Sequence, residues 1–432
     1  MNKDLYNEIR NFADETGLPV CDSIQFKRLT DTYGKEEFRE TLSEYIATEK
    51  PKFPLRDISY DKMRETFFEL QKFDTSKILT PQEQNQTPVF EKYDDYKYSY
   101  NEYGLGIIDG TAQFNDASNY FHQDIRLDCG TWQLKSPRQT WEQGTAKDVW
   151  RTLGGLWRGI NSTADLSPNS YIEVIRLGTY IATQFKPVVA KAIYEMTEAK
   201  TVLDTSCGWG DRLCGFYTSS AKTYVGCDPN PNTFARYKKQ VIEYEKLLGN
   251  DKIQPLKDTD DMFVNMGVKN VMLFRSGAEN IHYDKIPSID CAFTSPPYFS
   301  TEKYNAGGKH EEDQSWSKFN EYNKWRDDFY LPVSKNTMLK SKFMFINIMD
   351  PKIKNVRYYS GDELVNSLKD KFIGQIGMKI RQRPKSDKLF ESEEEKRKFE
   401  TSTFIENVWC FGPKDVDLFK HSRKATLENF FG

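Results

Sequence analysis

Residues 200–228 read KTVLDTSCGWGDRLCGFYTSSAKTYVGCD, and this stretch decides the fold of the chain. A short apolar run ends at Asp204, two glycines lie in the loop that follows, and a helical pattern begins at Asp211. A second apolar run ends at Asp228. Glycines after a strand let the backbone approach a ligand closely and begin a helix. The stretch therefore predicts a strand, a ligand-binding loop, a helix and a second strand that ends in an acid.

The same alternation of strands and helices continues towards the C-terminus. It predicts an α/β fold with a doubly wound, Rossmann-like sheet, in which ligands bind at the carboxyl ends of the strands. The glycine spacing is not GxGxxG, so the dinucleotide-binding fingerprint is absent. Further strands are predicted within 271–280, 289–298, 343–350, 376–383 and 404–412.

The fourth predicted strand ends in an unusual tetrapeptide, Ser295-Pro296-Pro297-Tyr298. Proline cannot donate to a sheet ladder, and its ring fixes the backbone. Because the carboxyl ends of parallel strands lie at one edge of a sheet, we expect this rigid loop to lie near the glycine loop and Asp228.

Three motifs together resemble one enzyme group, the S-adenosylmethionine-dependent amino-methyltransferases that modify N4 of cytosine or N6 of adenine in DNA. The motifs are DTSCGWGD at 204–211, SPPY at 295–298, and QFKPVVAKAIY at 184–194, which is similar to a cofactor-side helix of that group. The resemblance covers roughly residues 170–412. It implies S-adenosylmethionine as the cofactor and DNA as the partner.

The resemblance also implies which residues form the site. The catalytic residues would be Ser295, Pro296, Pro297 and Tyr298. The residues implied to bind the cofactor are Phe185, Asp204, Ser206, Gly208, Gly210, Asp228 and Glu279. The chain departs from the group after Asp228, where Pro229 and Asn230 stand in place of a bulky apolar residue.

The tetrapeptide suits the chemistry of an exocyclic amine. Such an amine is a poor nucleophile because its lone pair is delocalised into the ring, and acceptors that hold its hydrogens can aim the lone pair at a methyl sulfonium. We expect the Pro296 carbonyl and the Ser295 hydroxyl to be these acceptors, and Tyr298 to stack on a base rotated out of the duplex. Cytosine-C5 methylation instead uses a thiolate, typically in a Pro-Cys pair, and the sequence contains no such pair.

The sequence favours N4 of cytosine over N6 of adenine as the methylated atom, but two cues conflict. A leading serine is commoner among the N4-cytosine enzymes, whereas the order of cofactor helix, glycine loop and catalytic loop is commoner among the N6-adenine enzymes. RNA or protein-amide methylation and a non-catalytic nucleic-acid-binding module are open alternatives.

Two domains are predicted, a mostly helical accessory domain at residues 1–165 and a methyltransferase domain at residues 166–432. Little chain is left elsewhere for reading a target, so residues 1–165 are the candidate for target recognition. The net charge is −3, and a DNA-binding surface must therefore be local. The alternating positions Lys379, Arg381 and Arg383 are the candidate phosphate contacts near the sheet.

The remaining features of the sequence restrict the class of protein. Seven cysteines without a CxxC pair or zinc spacing predict a reduced, cytoplasmic protein with no metal site. No run of about 18 apolar residues occurs, so no membrane span is expected. The oligomeric state stays open.

Overall fold

The chain divides into two compact units, one helical and one built around a sheet. The computed structural model describes residues 2–90, 95–130, 134–176, 178–301, 303–304, 310–381, 387–420 and 422. The helical unit consists of residues 1–59, 122–183 and 303–311, and the sheet unit consists of residues 60–121, 184–302 and 312–432.

The helices are short, and several begin at a serine, threonine, aspartate or asparagine cap. Ser136 and Ser167, for example, each accept from a backbone N–H three residues later and precede a proline at the first helical position, which is a favourable start for a helix. The α-helices are α1 (Lys3–Asn11), α2 (Ser23–Tyr33), α3 (Lys35–Glu49), α4 (Tyr60–Lys72), α5 (Tyr100–Tyr103), α6 (Asp116–Asp128), α7 (Pro137–Gln143), α8 (Ala146–Leu153), α9 (Pro168–Ile175), α10 (Pro187–Met196), α11 (Asp211–Thr218), α12 (Pro231–Leu247), α13 (Ser315–Lys318), α14 (Tyr322–Trp325), α15 (Leu331–Lys340), α16 (Ser360–Ser367) and α17 (Glu393–Thr401). A π-helical segment, Arg326–Tyr330, joins α14 to α15.

The strands form one large sheet and one small hairpin. Their order across the large sheet is β1-β3-β13-β14-β10-β9-β4-β5-β8-β7-β6, with β2 beside β14, and β11 pairs with β12 in the hairpin. The strands are β1 (Leu79–Pro81), β2 (Val89–Phe90), β3 (Gly104–Ile108), β4 (Thr201–Asp204), β5 (Thr223–Cys227), β6 (Lys257–Asp258), β7 (Met262–Met266), β8 (Asn270–Phe274), β9 (Ile289–Thr294), β10 (Ser341–Asn347), β11 (Lys352–Ile353), β12 (Val356–Arg357), β13 (Phe372–Lys379) and β14 (Thr403–Phe411).

Seven central strands form the predicted doubly wound sheet, which is confirmed. Strands β10, β9, β4, β5 and β8 pair in parallel, while β14 runs antiparallel to both β10 and β13. After β4 the chain moves outward through β5 to β8 and then returns to β9 on the other side of β4. The direction therefore reverses between β4 and β9, and ligands of such sheets bind outside the carboxyl ends of the strands at this point.

The predicted boundary between residues 165 and 166 is not where the chain divides. Residues 104–108 form β3, which pairs in parallel with β13, and residues 79–81 pair with β3. These short strands belong to the sheet unit although they precede residue 165. Residues 166–176, in contrast, belong to the helical unit through α9. The additional helical domain exists, but three separate segments of the chain build it.

The helical unit has its own apolar core. Leu42, Ile46, Leu153 and Tyr171 are almost completely buried there, and so is Trp141, whose indole N–H donates to the Pro51 carbonyl over 2.8 Å. A buried tryptophan needs such a partner for its polar atom. Trp141 is thus a core residue rather than a platform for a base.

No helix of the described ranges is both long enough and apolar enough to cross a bilayer.

Candidate active site

The loop after β4 is shaped by two glycines in the left-handed region. Gly208 has φ of +59° and Gly210 has φ of +71°, and Gly210 is the residue at which α11 begins. A side chain at either position would strain the backbone. A Cβ placed on Gly208 would lie 3.8 Å from the Arg212 side chain and 3.8 Å from the Ser206 carbonyl oxygen, which is ordinary van der Waals contact, so this backbone is not crowded. Such a loop at a helix N-terminus can hold a ligand against its backbone.

Asp204, which is predicted to bind the cofactor, lies beneath the glycine loop with its carboxylate held by protein partners. Its side chain is fully buried and accepts from the Arg212 Nε at 2.8 Å and from the Tyr224 hydroxyl at 2.8 Å. Burial alone would lower the pKa of the Arg212 guanidinium. The attraction of the Asp204 carboxylate outweighs burial, so the pKa is raised. Because Arg212 also donates to the Ser206 carbonyl, the ion pair fixes the shape of the loop from beneath.

Asp228, directly after β5, connects the second strand end to the glycine loop. One carboxylate oxygen accepts from the Gly208 N–H at 3.3 Å and lies 3.2 Å from the Tyr237 hydroxyl, which also contacts the Gly208 carbonyl. The other oxygen accepts from the Asn230 N–H at 3.0 Å and the Thr233 hydroxyl at 2.9 Å. Burial raises the pKa of Asp228 to about 6, even though these hydrogen bonds favour the ionised form. The contacts to Gly208 and Tyr237 are the longer ones, so a ribose hydroxyl would compete with them first.

Three further residues predicted to bind the cofactor, Phe185, Ser206 and Glu279, have different surroundings. Phe185, just before α10, is half-buried with its ring centroid 5.5 Å from that of Phe293 on β9 and 5.5 Å from the Arg212 guanidinium. The Ser206 N–H donates to Asp204 at 3.2 Å. Glu279 follows β8 and forms an ion pair with Lys318 at 3.3 Å. The structure therefore brings Phe185 and Ser206 to the glycine loop and gives Glu279 a basic partner of its own.

The tetrapeptide after β9 forms the second part of the site. The Ser295 and Tyr298 hydroxyl oxygens lie 2.9 Å apart, and the Tyr298 hydroxyl is 3.2 Å from an oxygen of Asn347 and 3.2 Å from an oxygen of Glu406. Pro296 is buried, whereas Ser295, Pro297 and Tyr298 are half-buried. The loop is thus fixed by its prolines and by hydroxyl contacts, and polar groups stay accessible at its surface.

A small cavity of about 10 Å³, room for roughly one water molecule, lies beside both loops. The glycine loop contributes Thr205 to its wall, the strand β9 and its loop contribute Thr294 and Pro296, and α15 contributes Ser334 and Thr337. The Thr294 hydroxyl is buried and has no hydrogen-bond partner among the described residues. A polar atom of a ligand or a water molecule at this place would be stabilised, because an unpaired buried hydroxyl costs free energy.

The predicted phosphate contacts are described only in part. Lys379 ends β13 at the carboxyl edge and forms an ion pair with Asp109 at 2.6 Å, with both side chains about half exposed. Arg381 is exposed two residues later. Arg383 lies outside the described residues. Lys379 therefore has a protein partner that any phosphate would have to share.

Four contact residues were missed by reasoning from the sequence. Tyr237 on α12 contacts Asp228, Arg212 on α11 holds Asp204, and Asn347 on β10 and Glu406 on β14 lie at the Tyr298 hydroxyl. Asn347 is a polar residue within the predicted fifth strand and ends β10 in the structure, so its polar side chain in an apolar run was a usable signal. Tyr237 and Glu406 carry no local signal, since only the pairing of distant segments brings them to the site.

The strand order, with β14 antiparallel among its neighbours, is that of a doubly wound, Rossmann-like α/β sheet. No protein-family model matches the chain, and no curated protein matches it by sequence.

Solved structures show a distant likeness. The N-terminal domain of EvdMO1, crystallised with SAH and D-fucose, is 10% identical over 54% of this chain and 84% of its own, with a TM-score of 0.30. An rRNA methylase from Streptococcus thermophilus is 11% identical over 54% of this chain and 98% of its own, with a TM-score of 0.28. Trm1 from Pyrococcus horikoshii, in complex with S-adenosyl-L-methionine, is 10% identical over 55% of this chain and 58% of its own, with a TM-score of 0.31.

Proposed function

We propose that this protein transfers a methyl group from S-adenosylmethionine to the exocyclic amino group of a DNA base, with N4 of cytosine favoured. One observation carries the proposal. The tetrapeptide Ser295 to Tyr298 follows β9 at the edge of the sheet where the chain direction reverses, and the glycine loop follows the neighbouring strand β4 at the same edge. A methyl donor at one loop and an amine at the other would meet there.

The glycine loop suits the cofactor. When bound, S-adenosylmethionine supplies an electrophilic methyl group on a sulfonium. The absence of a side chain at Gly208, with no atom closer than 3.8 Å to the position of a Cβ, lets a ligand approach the backbone, and the ring of Phe185 can cover its apolar parts. Asp228 can accept from the ribose hydroxyls in exchange for its contacts to Gly208 and Tyr237.

The tetrapeptide suits the amine. The Pro296 carbonyl and the Ser295 hydroxyl supply two acceptors for the amino hydrogens, and the prolines hold these acceptors in place during the reaction. The half-buried ring of Tyr298 offers a face on which a base can stack. The hydroxyl of Tyr298 is anchored, so its ring has little freedom to turn away from the base.

The choice of DNA depends on the resemblance to the amino-methyltransferases, and the choice of N4 depends on the leading serine of the tetrapeptide. N6 of adenine is the alternative within DNA. Methylation of RNA or of a protein amide, and a non-catalytic nucleic-acid-binding role, are the further alternatives that an experiment must separate.

The test uses the full chain and radiolabelled S-adenosylmethionine. We expect calorimetry to detect cofactor binding and the label to enter DNA but not RNA of the same sequence. Digestion of the labelled DNA to nucleosides and mass analysis should then identify N4-methylcytosine. Label in N6-methyladenine would move the proposal to adenine, and label only in RNA or protein would refute DNA as the substrate.

A further inference from the structure

The tetrapeptide is linked to an acid on a distant strand. The Ser295 hydroxyl lies 2.9 Å from the Tyr298 hydroxyl, and the Tyr298 hydroxyl lies 3.2 Å from a carboxylate oxygen of Glu406. Glu406 is near the amino end of β14, and because β14 is antiparallel this end lies at the carboxyl edge of β9 and β10. Three oxygen-bearing side chains thus form a continuous hydrogen-bonded path from the catalytic loop to Glu406.

The direction of the hydrogens in this path follows from the available acceptors. A tyrosine hydroxyl has one hydrogen to donate, and Asn347 and Glu406 both present an oxygen to it at 3.2 Å. A carboxylate is the stronger acceptor, so Tyr298 donates to Glu406. The oxygen of Tyr298 can then accept from Ser295, which leaves the lone pairs of the Ser295 oxygen directed towards an incoming amine.

The amine must lose a proton for the reaction to finish. An aspartate at the first position of the tetrapeptide would bring a negative charge to the site, but Ser295 brings none. Serine and tyrosine hydroxyls hold a negative charge poorly at neutral pH, whereas a carboxylate accepts a proton from an acidic donor readily. Glu406 supplies the carboxylate that the tetrapeptide itself lacks.

We propose that Glu406 is the final acceptor of the proton released by the amino group, and that the hydroxyls of Ser295 and Tyr298 carry the proton to it. This inference rests on the proposed amino-methylation. The nitrogen lone pair forms the bond to the methyl carbon, and the bond between that carbon and sulfur breaks with its electron pair staying on sulfur. One proton leaves the nitrogen for Ser295, Ser295 passes its own proton to Tyr298, and Tyr298 passes its own to Glu406.

The charges balance in this step. One positive charge on the sulfonium and one negative charge on Glu406 disappear together, and a neutral thioether and a neutral carboxylic acid remain. Glu406 is half-buried, so its proton can leave to solvent before the next turnover.

Other titratable groups lie at this end of the sheet among the described residues. Tyr298 follows β9, and Lys379 ends β13 with its ammonium held by Asp109. Arg381 comes two residues after Lys379. The pH profile of the parent must therefore be compared with that of a variant changed only at Glu406, so that the effect of Glu406 is separated from the effects of these groups.

The test measures single-turnover methyl transfer at saturating cofactor over a range of pH. We expect Glu406→Gln to lower the rate by about 100-fold or more, the usual scale for losing a general base, and to remove the fall in rate at acidic pH. Tyr298→Phe should lower the rate similarly, and the double variant should be no slower than either single variant, because the residues act as one path. Calorimetric affinity for S-adenosylmethionine should be unchanged in all three.

A matched control is available in the helical unit, where the Tyr6 hydroxyl donates to Glu49 over 2.9 Å. Glu49→Gln makes the same chemical change at another tyrosine–glutamate pair, and at saturating DNA it should leave the single-turnover rate and its pH profile at the parent level, whereas a role of this unit in target recognition would change only the affinity for DNA. If the parent methylates an amine and Glu406→Gln does so at the parent rate with the acidic fall intact, the path is refuted and the proposed function stands. A parent that neither binds S-adenosylmethionine nor methylates an amine refutes both.

Discussion

The two loops at the carboxyl edge of the sheet are built by different physical means. The loop after β4 rests on buried charge, since Asp204 and Arg212 pair beneath it and Asp228 contacts four polar groups beside it. The loop after β9 rests on two prolines and on hydroxyls that stay half-buried. Buried ion pairs are costly to disturb, whereas accessible hydroxyls can exchange partners with a substrate. The difference fits the proposed roles of the two loops, cofactor binding at the first and methyl transfer at the second.

The largest effect is expected at the first loop. Gly208→Val should abolish binding of S-adenosylmethionine, because a branched side chain would block the approach of a ligand to the backbone and strain a backbone with φ of +59°. Calorimetry on the purified variant measures the affinity directly.

Gly249→Val is the matched control for this variant. Gly249 has φ of +91° and also has open space around its Cβ, but it lies just after α12, at the opposite end of that helix from Asp228. Gly249→Val should lose comparable stability and keep the cofactor affinity. Equal affinity in both variants would remove the glycine loop from the binding site.

The buried ion pair predicts the next effect, which concerns stability. Asp204→Ala leaves Arg212 charged and unpaired inside the protein, and this should lower the free energy of unfolding by about 3–5 kcal/mol. Denaturant titration measures the change. The control is Asp258→Ala, since Asp258 pairs with Lys238 at 2.6 Å but is 52% exposed, and it should cost about 1 kcal/mol or less. Equal costs would contradict the supporting role of Asp204.

Asp228 predicts a pH dependence of stability. Burial raises its pKa in the folded protein to about 6, above the ordinary value of 3.8, so folding favours the protonated form. Its contribution to stability is therefore complete below about pH 4 and is lost as the pH rises through 6. Compared with Asp228→Asn, the parent should lose on the order of 3 kcal/mol of unfolding free energy between pH 4 and pH 7. Parallel curves for the two proteins would refute the raised pKa.

The same group predicts the opposite trend for binding. A ribose diol donates best to an ionised carboxylate, so the cofactor affinity of the parent should weaken as the pH falls below about 6. Asp228→Asn should bind less tightly, by about 1–3 kcal/mol, and should show a much flatter pH profile by calorimetry. A parent profile as flat as that of the variant would place the ribose elsewhere.

The smallest effect concerns the binding of DNA. Arg381→Ala should weaken binding to all DNA sequences and reduce the log–log salt slope by roughly one unit for each phosphate that the arginine neutralises. Lys252→Ala is the control, because Lys252 is exposed after the far end of α12, away from the carboxyl edge. An unchanged slope in Arg381→Ala would move the phosphate-binding residues away from this strand end.

The central sheet could be predicted from the sequence because its signals are local. Apolar runs, the glycines after Asp204 and the prolines after Ser295 each mark a strand end within a few residues. The edge strands β1 and β3 could not be found this way, since Leu79–Pro81 is only three residues long and its pairing with β3 is set by the rest of the fold.

The site was predictable to the same degree and for the same reason. Gly208 and the tetrapeptide were found from their own neighbourhoods, and the structure places both at one edge. The pairing of Asp204 with Arg212 could not be predicted, because an acid at a strand end looks the same in the sequence whether it faces a ligand or a buried arginine. Glu406 was missed because only the antiparallel pairing of β14 with β10 brings it to Tyr298.

The most direct test of the central claim is single-turnover methylation of DNA by Tyr298→Ala and Pro296→Ala at saturating S-adenosylmethionine. Tyr298→Ala removes the stacking face, and Pro296→Ala loosens the backbone that directs the carbonyl. We expect both to react roughly 10- to 1,000-fold more slowly than the parent. Tyr120→Ala, which removes a ring that is 40% exposed elsewhere in the sheet unit, should react at the parent rate. Parent rates in both Tyr298→Ala and Pro296→Ala would contradict the placement of the active site at the end of β9.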